Sequence, residues 1–352
     1  MGKVANYILL VSLIIIMILL AEIGFRIVAY REDLNTLENI DPKDNIPQPG
    51  EIVTLGRMIR LSKNPRIIYE LIPNLSVLIH YKLLKKFVSV TINSDGFRGQ
   101  EIPVDKSPQS FRIVGIGDSL MFGWGVNDEE VYLSILSDVL NSNYPKYSWE
   151  IINMAVEGYN TVMEVETLKE KGLQYKPDIV IIHYFWNDFN LPNFIREQED
   201  YFALNQSFMV KYFKKNLKTI RVIEAPRHSS GINYENDPQK VPIQYRNMVG
   251  IEAYYGAMKE LQSLSLKHKF DVIVLAYEPT ENIKQICLQL GFHMLDLTPL
   301  WKKHASEQNF LDANAAWRMH KDDSHPSPIA HQFIAITLSR QLVQLRGIYP
   351  KI

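Results

Sequence analysis

An α/β fold built on a doubly wound parallel sheet is predicted by three features of this 352-residue chain. Five short apolar, β-prone runs recur at 111–116, 149–154, 178–184, 270–277 and 293–297. Segments with helical spacing of apolar residues separate them, the alternation expected of βαβ units with parallel strands. Hydrophobic residues make up 46% of the chain and charged residues 22%, enough for a sizeable core and too apolar for general disorder.

The chain opens with an uncharged, Ile/Leu-rich stretch from Val4 to Ala21. Eighteen helical residues span roughly 27 Å, close to the hydrocarbon thickness of a bilayer. Residues 1–30 are therefore expected to be a single transmembrane anchor, with Glu22 and Arg26 four apart and able to pair where it ends. A cleaved signal peptide is the competing reading, and no small-x-small cleavage site stands in register after the run. Lys3 before the span and Arg26 and Arg31 after it leave the orientation open.

Residues 31–109 are expected to be a β-rich lead-in. Pro47, Pro49 and Gly50 mark a loop, Phe87–Ile92 is β-prone, and Asn93-Ser94-Asp95-Gly96 reads as a turn. Arg98, just after it, suits a structural ion pair at the turn or a contact with a site.

Residues 110–352 form the expected α/β domain. The first strand carries Ile113, Val114 and Ile116 and breaks at Gly117-Asp118-Ser119. A serine at that break lies at the carboxyl edge of the sheet, where open α/β sheets place their ligands, so Ser119 is a candidate nucleophile. A helix over 128–140 follows, then the strand at 149–154, ending in Ala155 to Asn160. A helix from about 160 to 174 leads to the third strand, which ends at Phe185-Trp186-Asn187-Asp188. Residues 189–247 lack strong periodicity and read as an insertion, such as a lid, a substrate-binding segment or an Ω-like loop. Within it, Phe208, Met209, Tyr212, Phe213 and Leu217 share one helical face beside Lys211, Lys214, Lys215 and Lys218. That face suits packing on the domain, or a surface turned to a membrane or an anionic glycan. Helices over 248–268 and 279–290, a start near Thr298 and a last helix to about 345 complete the alternation.

The chemistry is concentrated at strand ends. Asp322-x-x-His325 lies just before the final helix. Two such residues in a turn can point the same way, so that a carboxylate accepts from imidazole Nδ1–H and leaves Nε2 to take a serine proton. In isolation that pair reads as a salt bridge; with Ser119 it reads as a base and its orienting acid. Cys287 stands alone, so no internal disulfide is expected, and a buried helix face suits it. His183 is expected to be a buried, satisfied strand histidine, and His320 and His331 to be surface or supporting residues. Trp124, Phe122, Tyr184 and Phe185 suit either a pocket wall or the core, and Asp118 suits a helix cap.

Gly117-Asp118-Ser119-Leu120, Asn153 to Asn160, Asn187-Asp188 and Asp322-x-x-His325, in that order, resemble the blocks of the SGNH (GDSL-like) hydrolase family over about 110–345. Where that family usually has glycine, two residues before the block asparagine, this chain has Phe185. The resemblance implies a flavodoxin-like three-layer α/β/α sandwich and a serine esterase. It implies Ser119 as nucleophile, His325 as base and Asp322 as its orienter. The Ser119 and Gly158 backbone N–H groups and the Asn187 amide would form the oxyanion hole.

A net charge of −1 gives no nucleic-acid footprint. With no Walker loop, His-Glu-x-x-His or cysteine-rich pattern, neither nucleotide, metal nor other cofactor is expected. There is also no Gly-x-Ser-x-Gly elbow around Ser119. The expected protein is a membrane-anchored, extracytoplasmic esterase acting on acyl, notably acetyl, groups of a cell-envelope glycan. A lipid esterase or thioesterase, an O-acyltransferase and a non-catalytic envelope-assembly module are the alternatives.

Overall fold

The computed structural model describes residues 2–38, 46–214, 220–225 and 241–346. Helix α1 (Gly2–Glu38) contains the apolar run and continues beyond residue 30. Its uncharged part has no protein packed around it. The lead-in then folds as two small sheets. Strand β1 (Ile52–Val53), the turn α2 (Leu55–Met58) and the hairpin β2 (Ile59–Leu61)–β3 (Tyr69–Leu71) precede a longer hairpin, β4 (Leu75–Tyr81)–β5 (Lys86–Ile92). β4 alternates buried with less buried residues along its length, as a strand covered on one face should.

The main sheet comprises β6 (Ser110–Gly117), β7 (Ser148–Asn153), β8 (Ile179–Tyr184), β11 (Asp271–Ala276) and β12 (His293–Asp296), all parallel. Its spatial order is β7-β6-β8-β11-β12, which is the 2-1-3-4-5 order of flavodoxin-like sheets. β8 is buried at every position and β6 at all but one, which accounts for their unbroken apolar character.

Helices cover both faces. After the short turn α3 (Ser119–Phe122), α4 (Tyr132–Asn143) packs against the last helix, α11 (Pro328–Arg346). α5 (Thr161–Thr167), whose helical turns continue to Tyr175, packs on α7 (Ile251–His268). Gln262 of α7 in turn bonds the Leu290 carbonyl at the end of α8 (Glu281–Gln289). α9 (Leu297–Glu307) places the buried Trp301 edge-on to Phe333 of α11. Cys287 is buried in α8, and burial pushes its thiol up to about 11.

The insertion is partly regular. β9 (Phe194–Gln198) and β10 (Ile220–Glu224) form an antiparallel pair, and α6 (Phe208–Phe213) lies between them in sequence. Leu217, Lys215 and Lys218 lie outside the described residues. Near the C-terminus, α10 (Ala313–Trp317) leads into a two-stranded ribbon, β13 (Arg318–His320) with β14 (Asp323–Pro326). A ribbon there, where a plain turn was expected, decides which aspartate faces His325.

Candidate active site

The reversal of strand order falls between β6 and β8, and an open α/β sheet binds its ligands beyond the carboxyl ends at that point. Ser119 follows β6 and Asn187 follows β8. Arg98 sets the loop after Ser119: it is buried and donates to the carbonyls of Phe122, Gly123, Val126 and Ser89 and to the Asp128 carboxylate. Gly123 can adopt φ +89° inside this clasp; a Cβ there would meet Val131 at 2.7 Å. Arg98 is thus structural, holding the serine turn from behind.

Ser119 Oγ lies 2.8 Å from His325 Nε2, although the two are 206 positions apart. His325 Nδ1 lies 2.5 Å from Asp323 Oδ1, and the His325 backbone N–H donates to the same oxygen at 2.9 Å. The predicted orienter, Asp322, is elsewhere: its side chain is 65% exposed and its carboxylate faces His320 Nδ1 at 3.5 Å. The reason is the strand. Within β14, side chains two apart share a face, so His325 shares one with Asp323 and not with a residue three back.

Asp323 has a further partner that the sequence did not reveal. Tyr81, the last residue of β4 in the lead-in, donates its hydroxyl to Asp323 Oδ2 at 2.5 Å. Burial alone would raise the Asp323 carboxyl, but the His325 and Tyr81 hydrogen bonds and the His325 charge hold it well below the usual range. Burial alone would lower the His325 pKa, yet the Asp323 hydrogen bond and charge, with Glu157 and Asp118 behind them, raise it above the ordinary 6.5.

Gly158 has φ +76°, and a Cβ added there would fall 2.2 Å from the Asn193 side chain. No other residue type fits this turn, and the missing side chain leaves the backbone open to close approach. Among the described residues, the backbone N–H groups of Ser119 and Gly158 donate to no protein acceptor. Asn187 Nδ2 gives one hydrogen to Asp118 Oδ2 at 3.0 Å, and a primary amide has a second to offer. Asp118 therefore does more than cap: its other oxygen accepts from Leu120 N at 2.9 Å, while Oδ2 positions the Asn187 amide.

Nearby lie Asp188 and Glu164, both buried; burial first, then the Asp118 charge (with that of Asp188 on Glu164), pushes their carboxyl groups well above the ordinary range. His183 is buried as expected, beside the Tyr132 hydroxyl at 3.1 Å, and burial holds it neutral with a pKa of about 3. His331, expected at the surface or in a supporting place, lies in the interior. It is fully buried, its Nδ1 accepts from Tyr132 N, and its pKa is also lowered to about 3. Phe122 and Tyr184 belong to the core. Trp124 instead lines a cleft of about 1030 Å³ that reaches the site at Asp323 and Glu157. Its other walls come from the lead-in, through Leu55 and Ile79, and from the insertion, through Asn193 and Phe194.

The family model for the GDSL-like Lipase/Acylhydrolase group matches residues 113–338. None of the curated proteins compared with the sequence matches it. Among solved structures, the chain is similar to a catalytic mutant of Axe2, an acetylxylan esterase from Geobacillus stearothermophilus. The identity is 16%, the TM-score 0.42, and the match covers 68% of this chain and 96% of that one. It is also similar to LAE5, an alpha/beta hydrolase enzyme from the metagenome of Lake Arreo, Spain, at 16% identity and TM-score 0.42, covering 68% of this chain and 97% of that one. With well over half its length matched by the family model, the chain belongs to the GDSL-like lipase/acylhydrolase family and is a serine esterase acting on carboxylic ester bonds.

Proposed function

We propose that Ser119, His325 and Asp323 act as the triad of a membrane-anchored esterase that removes acyl groups, above all acetyl, from a cell-envelope glycan. The observation that carries this reading is the unbroken chain from Asp323 through His325 to Ser119 Oγ. His325 Nε2 takes the Ser119 proton as Oγ attacks the ester carbonyl. Negative charge then builds on the carbonyl oxygen, where the N–H groups of Ser119 and Gly158 and the second hydrogen of the Asn187 amide stabilise it. The intermediate collapses as His325 returns the proton to the departing sugar hydroxyl. Water then attacks the acyl-enzyme by the same route, releasing the acid and free Ser119.

The cleft and the anchor support this substrate class. The cleft is at the upper end of the size range of small-molecule pockets and is walled by three separate parts of the chain. Its lining is largely apolar, through residues such as Leu55, Ile79, Leu191 and Phe194, with Glu157, Glu224, His80, Lys82 and the Trp124 indole among them, a mixture that accommodates an acylated sugar. An anchor with the catalytic domain outside the cytoplasm would hold this cleft over envelope polymers. A panel of p-nitrophenyl esters from acetate to palmitate, run with wild type and Ser119→Ala, tests the reading. The expected result is an acetate optimum that vanishes in Ser119→Ala, with acetate released from an acetylated polysaccharide. A long-chain optimum would replace the glycan by a lipid, and transfer to added sugar in preference to water would make the protein an acyltransferase.

A further inference from the structure

The insertion does not pack on α1 at random. Glu22 of α1 accepts from Phe208 N at 2.8 Å, Met209 N at 3.2 Å and Ser207 Oγ at 2.7 Å, so its carboxylate satisfies the first N–H groups of α6. Arg26 pairs with Glu22 at 3.0 Å and donates to the carbonyls of Tyr201, Ala203 and Gln206. Tyr201 reaches Asp33, and Phe208 is buried against Ala29. Phe25 stacks near Tyr212 and Phe213 at 4.8 and 5.9 Å between ring centroids. Of these polar partners on α1, Glu22 and Arg26 stand within five residues of the end of its uncharged run, and Asp33 lies farther along.

We infer that the ledge formed by residues 202–213 is a bilayer-docking surface that seats the catalytic domain on the lipid headgroup layer. The inference rests on reading α1 as an anchor. If Val4–Ala21 fills the hydrocarbon, Glu22 and Phe25 lie within roughly 6 Å of its edge, at 1.5 Å per helical residue. The headgroup layer on each side is about 5–8 Å deep. α6 meets α1 at that level, and the side chains exposed along residues 202–213 are those an interface would take, Tyr212 and Phe213 among them although each also touches Phe25 of α1. Phe213 is 73% exposed, Phe202 87% and Leu204 97%, with Val210 and Tyr212 also exposed. Lys214, also exposed, follows them and suits a lipid phosphate. An apolar cluster with this basic flank has one occupant consistent with its place beside a membrane helix, namely the bilayer that the helix enters.

The ledge also limits how far the cleft lies from α1. Phe194 lines the cleft and Tyr201 rests on α1, seven residues later. Seven extended residues span at most about 25 Å. The cleft wall at Phe194 therefore stands within about 25 Å of the residue that rests on α1.

The test uses the full-length protein in nanodiscs, with Cys287→Ser as background and one cysteine at a time carrying an environment-sensitive nitrobenzoxadiazole dye. Leu13→Cys reports the anchor, Phe213→Cys the ledge, and Leu311→Cys a remote exposed site. Lipids bearing nitroxides in the headgroup or along the acyl chain serve as quenchers. The inference expects the dye at 213 to lose fluorescence to headgroup and shallow-chain nitroxides, that at 13 to deep ones, and that at 311 to neither. Quenching at 13 without quenching at 213 would overturn the ledge alone. Absence of quenching at both would overturn the anchor with it. No readout passes through Ser119, so the ledge and the esterase reading fail separately.

Discussion

At the scale of single residues, two adjacent aspartates separate the family pattern from the observed geometry. Asp322 is spaced from His325 as the family motif requires, yet it points to solvent, while Asp323 holds the imidazole. Asp323→Ala should lower kcat by about four orders of magnitude, the loss known when a triad carboxylate is neutralised. Asp322→Ala should leave kcat within a few-fold of wild type; the reverse pattern in steady-state ester hydrolysis would return the role to Asp322. The pH profile tests the same contact. His325 must be neutral to act as base, and Asp323 raises its pKa above the ordinary 6.5. Activity should therefore be complete above that raised value and fall as pH drops through it, so the acidic limb of kcat/KM lies above about 6.5. A profile flat down to pH 5 would exclude His325 as the base. Ser119, His325, Gly158 and Asn187 could be singled out from the sequence because each stands at a strand end or turn, and Ser119 and His325 do meet. Asp322 misled because motif spacing says nothing of whether the backbone between is a turn or a strand.

Secondary elements carry the next lesson. The parallel strands and their helices were readable from unbroken apolar runs, since burial on both faces leaves no alternation to confuse them. The lead-in was legible as β-rich, with Arg98 its candidate for a site contact, but nothing in the sequence singles out Tyr81. Tyr81 closes an alternating strand and looks like an ordinary buried aromatic; only the docking of β4 beside β14 brings its hydroxyl to Asp323. Tyr81→Phe should leave Asp323 with one donor fewer and its charge more available to the imidazolium. The acidic limb should then move to higher pH while kcat falls on the order of tenfold, the lower range for a hydrogen bond to a charged group. A loosened sheet alone would lower the active fraction and leave the limb in place. Histidines were harder to place than strands. His331 falls on the buried face of α11 against Tyr132, and a helix near the end of a chain gives little hint of which side is covered.

Across the whole molecule, three regions outside the central sheet converge on one edge of it. The lead-in supplies Tyr81 and part of the cleft wall, the insertion supplies Asn193 and Phe194, and the C-terminal ribbon supplies Asp323 and His325. The matched family region begins at residue 113, so the lead-in's share of the cleft lies outside it. That convergence could not be read along the chain, because the contacts join residues more than 200 positions apart. It puts His325 within hydrogen-bond distance of Ser119, with the cleft reaching the pair at Asp323. Intact-mass and peptide analysis of the full-length protein after reaction with a fluorophosphonate is the most direct check. One adduct on Ser119, absent in Ser119→Ala and strongly slowed in His325→Ala, is the predicted result. An unlabelled wild type, or an adduct on another residue that persists in Ser119→Ala, would contradict the assignment of Ser119 as nucleophile.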